Sequence, residues 1–465
     1  MSELSAKIDE FFHITERGSD LKTEIKGGVI TFLAMFYILA VNPAILSAAT
    51  GPELFDQLVT ATALASCISC ILMGLYAKFP IALAPGMGIN AFVAYTIVLG
   101  MGFTYNQALL VVLVSGIAFF VLTVSGLRKK ILHAIPIEMK LAITAGIGFF
   151  IVVVGLFNAG IIIHANGSAL ELGDFSAPGT NLALVCIIIT MFFWARNNWG
   201  AVLIGIVATI VIGLTGGALF GWDTVVNGAQ LIPGVGTAAI TGIVSMPDFG
   251  LIGAVFDIGS IETTMWLAFI VSTISLIIID MFDTTGTIVG VARSAGMMDE
   301  KGEIKGNEKA LEVDAVATVL GAVAGTSTTT SFIESSTGIS VGARTGLMAV
   351  IVGLLFMVTL FFVPVFAIIT PACTVGALFL VGLSMVTALR EVQWNDRTTV
   401  ATVFVTLFMM GLSGSITNGI ALGTITYIIC MVGEGKWKDV SPILWIFEII
   451  FLAHFIIIYE VVPNL

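Results

Sequence analysis

Charge is scarce in this chain. Asp, Glu, Lys and Arg make up 11% of its 465 residues, against 58% hydrophobic residues and a mean hydropathy of +1.08. A soluble globular domain, with a charged share of about 25%, is excluded. Histidine is scarcer still: His13, His133, His164 and His454 are scattered, so no HExxH, metal-ligand cluster or Ser/His/Asp set can be assembled from them. The five cysteines, Cys67, Cys70, Cys186, Cys373 and Cys430, all lie in apolar stretches. Cys67 and Cys70 form a CxxC without a second pair or a nearby His, which leaves small buried helix residues as the simpler reading. The N-terminus, MSELSAKIDEFFHITERGSDLKTEIKGG, has neither the apolar core nor the cleavage site of a signal peptide. A net charge of -11 without an acidic run indicates no nucleic-acid partner.

Apolar length is abundant. Runs such as Gly27 to Ala40, Ala108 to Val124, Leu347 to Phe366 and Thr399 to Met410 approach or exceed the length at which a bilayer, rather than a protein core, must receive them. The apolar pattern predicts helices near 26–47, 57–77, 86–99, 106–125, 139–160, 180–195 and 199–218, then near 265–291, 311–324, 331–343, 346–367, 372–389, 398–412 and 416–433. That is an all-α polytopic membrane protein of fourteen segments, seven in each half. Positive charge supports this threading, because Lys and Arg of short loops stay on the cytoplasmic side. With the N-terminus inside, all 19 fall there, including Arg128 to Lys130, Arg293, Arg344 and Arg390, while the outer loops carry only acids such as Glu53, Asp174 and Asp257. Residues 442–460 are apolar enough to cross, but a fifteenth crossing breaks the charge rule, so packing on the bundle or lying in the interface is the alternative.

An odd number of segments per half requires the halves to be inverted if they are repeats. In each half the third segment is short and interrupted: LAPGMGINAFVAY holds Asn90, and TSTTTSFIESSTG holds Glu334. Interrupted segments at matching places point to a transporter site near the midplane. The first segment carries a polar break of its own at Asn42 and Pro43. Non-helical backbone and a carboxylate at that depth are tolerated only where they line a cavity. In segment eight, LIIIDMFDTTGTIVG, Asp280 and Asp283 lie one turn apart and Thr287 follows Asp283 on the same face. An acid there needs a partner, a proton or a ligand, although either could simply cap or pair with a neighbouring broken helix. Glu334 opens the half-helix of segment ten, where a carboxylate accepts from ligand N–H donors or takes a proton; a plain N-terminal helix charge is the alternative. Phe282 and Phe332 adjoin the acids and could stack on a flat ring, or could pack like many of the 32 phenylalanines. Asn90 offers both donor and acceptor, or a helix cap.

The stretches RGSDLKTEIKGGVITFLAMFYILAVNP, APGMGINAFVAY, FDTTGT and GTSTTTSFIESSTG resemble the adenine/guanine/hypoxanthine permeases, the purine branch of the nucleobase/ascorbate transporter superfamily. The resemblance covers nearly the whole chain. It implies two inverted repeats, with a core domain (26–125 and 265–367), a gate domain (126–218 and 368–433), a cytoplasmic N-terminus (1–25), an extracytoplasmic loop (219–264) and a C-terminal apolar segment (434–465). Short strands pairing in segments three and ten belong to that fold. Carried over by residue, the base-binding acids fall on Asp283 and Glu334 and the polar residue of segment three on Asn90. Thr329 and Thr330 fall on the strand, and Thr287 stands where related carriers often have an ionisable group. Proton coupling then rests on Asp283, Glu334 or Asp280. The expectation is a proton symporter for hypoxanthine and guanine in the cell inner membrane, with adenine as the alternative substrate, no cofactor beyond the proton, and a homodimer. An anion carrier of the same architecture would place a basic residue at the half-helices. A channel or an intramembrane enzyme is the rival of another class.

Overall fold

The computed structural model describes residues 3–164, 170–198, 200–226, 229–234, 242–295, 297, 304 and 307–456. Among these, nine helices are long and apolar enough to cross a membrane, from Leu21–Thr50 to Ile416–Gly433. Shorter helices occupy the places of four other predicted segments: Met87–Ala91, continued by π turns to Gly100, then Ser335–Ser340, Gly346–Thr359 and Arg397–Leu412; the fifth is Asn307–Ala324, 18 residues long but charged in its first half.

The helices group in two sets. Asn307–Ala324 packs on Tyr105–Val124 and Phe55–Leu72, and Gly346–Thr359 on Phe55–Leu72 and Leu21–Met35. Separately, Pro371–Val386 packs on Ile137–Asn158 and Pro178–Ala195, while Arg397–Leu412 packs on Ile137–Asn158 and Ile416–Gly433. The terminal helix Pro442–Ile456 rests against Ile416–Gly433, Trp266–Ser294 and the short helix Leu127–Ala134. It therefore packs on the bundle; residues 457–460 of the apolar run lie outside the described ones.

The first segment corrects an expectation. Its break is not at Asn42 and Pro43 but earlier, at Phe36 and Tyr37, between helices Leu21–Met35 and Ile38–Thr50. Pro43, which has no N–H to give to Leu39 O, stays inside the second helix, and the irregular turn lies earlier, where Leu39 N and Ala40 N donate three residues back, to Phe36 O and Tyr37 O. Asn42 is fully buried instead, donating from Nδ2 to Thr62 Oγ1 at 2.7 Å and Thr326 Oγ1 at 2.8 Å.

Strands Leu83–Pro85 and Thr329–Ser331 form an antiparallel pair, Leu83 opposite Ser331 and Pro85 opposite Thr329. The ladder is extended by Gly86 N donating to Thr328 O and Phe332 N to Ala82 O, both at 3.0 Å. Each strand satisfies the other's backbone, which is how extended chain is kept inside an apolar bundle. Cys70 adds a clamp: its Sγ lies 3.1 Å from both the N and the O of Leu83, tying the first strand to segment two.

Candidate functional site

The strand pair lies among four helices, Ile38–Thr50, Phe55–Leu72, Trp266–Ser294 and Asn307–Ala324. Asn90 sits in the helix just after the first strand, fully buried; its Oδ1 accepts from Ser327 Oγ, and its Nδ2 has no hydrogen-bond partner. Thr329 is fully buried with a free Oγ1. Thr330 Oγ1 lies 2.9 Å from Thr284 Oγ1 on segment eight. A buried polar atom without a partner is uncommon, and three beside one strand pair, counting Thr328 Oγ1, mark a place with unspent hydrogen-bonding capacity.

Segment eight is the helix Trp266–Ser294. Its Asp283 is half-buried and faces the strands: a Cβ built on Gly86 would stand 3.7 Å from Asp283 Oδ2 and 2.6 Å from Thr330 Cγ2. The missing side chain at Gly86 is what lets the carboxylate approach the end of the first strand. The half-helix Ser335–Ser340 that Glu334 caps packs on segment eight, which sets the two predicted acids on neighbouring elements. Glu334 is half-buried at the N-cap of Ser335–Ser340, and its Oε1 accepts from Tyr37 Oη at 2.5 Å. Thr287 is buried on segment eight and Phe332 is buried in the hydrophobic core; the Phe282 side chain lies outside the described ones.

Asp280 is drawn into a second cluster. It accepts from Thr318 Oγ1 at 2.9 Å and lies 3.5 Å from Thr284 Oγ1. Beside it, Asp314 is fully buried and accepts from Thr284 Oγ1 at 2.5 Å, Ser331 N at 3.0 Å and Ser331 Oγ at 2.9 Å. Asp314 thus holds the end of the second strand, and Thr284 links it to Asp280 and Thr330. Sequence reasoning missed Asp314 and Tyr37. Asp314 had a usable signal, the last charge before the apolar run Ala315–Ala324 that completes its helix. Tyr37 had none, since its role depends on the helix break beside it. A shallow cleft lined by Trp394, Asp396, Arg397 and Phe404 contains none of these residues.

A model described as "Permease family" matches residues 22–451. The guanine/hypoxanthine permease PbuG of Bacillus subtilis is 40% identical over 454 residues, covering 96% of this chain and 99% of that protein. The adenine permease AdeQ of Escherichia coli is 37% identical over 460 residues, covering 98% of each. Among solved structures, the transmembrane domain of a cyanobacterial bicarbonate transporter, BicA, aligns with a TM-score of 0.58 over 85% of this chain and 97% of that one at 17% identity, a likeness of fold alone. Matched over nearly its full length by the family and by two of its curated members, the chain is a multi-pass membrane transporter belonging to the purine nucleobase permease family.

Proposed function

We propose that the chain is a secondary-active permease that carries hypoxanthine or guanine into the cell together with a proton, with adenine the alternative substrate. The observation that carries the reading is the convergence of Asp283 and Glu334, from separate segments, on a strand pair beside the free donor Asn90 Nδ2. A purine offers ring N–H and amino donors to two carboxylates, and acceptors to amide and hydroxyl donors. In this mechanism Glu334 and Asp283 accept from the base, Asn90 and Thr329 meet its acceptor edge, and a proton taken by Asp283, Glu334 or Asp280 offsets the buried negative charge. An acidic site disfavours an anionic cargo. The names of PbuG and AdeQ support a purine over other uncharged solutes.

The same reading threads the chain fourteen times as two inverted repeats, with 1–25 cytoplasmic and 219–264 outside. Residues 26–125 with 265–367 then form a core that moves against a gate built from 126–218 and 368–433. The separate packing of the two helix sets supports that division. A homodimer through the gate and placement in the cell inner membrane complete the proposal.

Uptake of radiolabelled hypoxanthine, guanine, adenine and uracil by cells without their own carriers, with and without a proton uncoupler, tests it. Purine uptake abolished by the uncoupler is expected. No purine uptake from a protein verified at the membrane refutes the substrate, and uncoupler-insensitive accumulation refutes the proton. Gly86→Ala is expected to raise KM at least tenfold, because the new methyl meets the buried, β-branched Thr330 at 2.6 Å and lies beside Asp283. Unchanged KM would place the substrate away from the strand pair.

A further inference from the structure

Arg128 reads in sequence as one of three basic residues in a loop, yet its side chain is buried, 3% exposed. It follows Gly126, whose φ of +73° turns the chain from Tyr105–Val124 into the short helix Leu127–Ala134. The guanidinium lies over the Phe119 ring at 4.5 Å, and Nη2 donates to Thr285 Oγ1 at 3.0 Å and toward Met281 O at 3.5 Å. Nε and Nη1 have no hydrogen-bond partner. Met281 and Thr285 flank Asp283 on segment eight, two residues to either side. A guanidinium cannot shed its proton in a protein, so a buried one requires negative charge nearby. Asp314 and Asp280 are the acids whose field reaches it, acting at a distance, since the guanidinium's own hydrogen bonds go to Thr285 and Met281.

We infer that Arg128 is a positioning residue for the substrate site: it supplies the positive charge shared by the Asp280 and Asp314 carboxylates and fixes the rotation of segment eight at Asp283. The inference rests on the purine reading only for its binding readout. Asp314 in turn holds Ser331, so one cation bonds directly to the helix that carries Asp283 and acts through the charge of Asp314 on the strand that precedes Glu334. Both bonds to Thr285 and Met281 come from Nη2 at the tip of the guanidinium, a planar donor that lysine does not reproduce, whereas the charge balance needs only a cation. The two contributions are therefore separable by substitution.

The experiment is a double-mutant cycle on the purified full-length protein, read by melting temperature and by hypoxanthine, guanine and adenine binding. Arg128→Met is expected to lower the melting temperature and weaken binding at least tenfold, with Arg128→Lys intermediate. In the Asp280→Asn background, which removes one of the two acids, the same Arg128→Met change is expected to cost at most a third as much in melting temperature. If Arg128→Met cannot be purified, recovery of folded Arg128→Met/Asp280→Asn protein supports the inference, and failure to recover it overturns it. Equal cost in both backgrounds, as loss of packing on Phe119 alone would give, also overturns it. A wild-type protein that binds no purine refutes the substrate reading, while the melting-temperature cycle still decides the role of Arg128.

Discussion

Asp314→Ala is expected to abolish purine uptake and to leave little folded protein in the membrane. Asp314 makes no contact with the proposed base; its effect is expected because it is fully buried and bonded to a backbone N–H and two hydroxyls on separate elements. Removing it strands Ser331 N and Ser331 Oγ in an apolar interior and deprives Arg128 of one of its two counter-charges. Breaking a buried charge network by deleting one partner costs about 3–5 kcal/mol, a large part of the stability of most folded proteins. Asp314→Asn separates the two contributions. The amide keeps the size and one acceptor for Ser331, but turns a donor toward Thr284 and removes the charge. It is expected to restore membrane abundance in part while uptake stays at least tenfold down. Fluorescence-detected size-exclusion chromatography measures abundance and labelled hypoxanthine measures uptake. An Asp314→Ala protein that is abundant and active would show that the second strand is held by its ladder to Leu83–Pro85 alone.

How far the sequence reveals this site follows from which forces are local. The helices announce themselves because apolar length is a one-dimensional property, and the charge rule orders them with no knowledge of contacts. Asp283, Glu334 and Asn90 stand out because each is polar where a bilayer penalises polarity. The break of the first segment is not legible at Asn42 and Pro43 because a proline can be carried inside a helix, whereas the turn at Phe36 and Tyr37 has no breaker residue and places Tyr37 against the distant Glu334. Arg128 counts as a loop cation in any tally of basic residues, and only three-dimensional packing shows it buried against segment eight. Asp280 and Asp283 look equivalent in sequence, one turn apart. In the fold one faces Thr318 and the other the strand pair, because about 100° per residue over three residues turns them by a further fraction of the helix circumference.

Glu334→Gln is the second change expected to have a large effect, and Tyr37 determines how it should be read. The carboxylate has two oxygens; Oε1 is taken by Tyr37 Oη at 2.5 Å, which leaves Oε2 to face a ligand. Glutamine keeps an acceptor for Tyr37 but replaces the other oxygen with an NH2 donor, which opposes a purine N–H rather than accepting from it. A hydrogen bond to a charged group contributes about 1.5–3 kcal/mol, so losing it should raise KM roughly 10- to 150-fold. Asp283→Asn is expected to act in the same way, and the double variant to have no measurable uptake. Tyr37→Phe tests whether the carboxylate must be held: the lost donor leaves Oε1 bare and the side chain free to turn, with an expected rise in KM of about tenfold and membrane abundance unchanged. In the Glu334→Gln background the same Tyr37→Phe change should cost far less, because the amide makes only the weaker neutral bond to the phenol. Equal costs in both backgrounds would mean that Tyr37 acts on the helix break rather than on Glu334. Normal transport by both Glu334→Gln and Asp283→Asn would remove the two acids from the substrate site altogether.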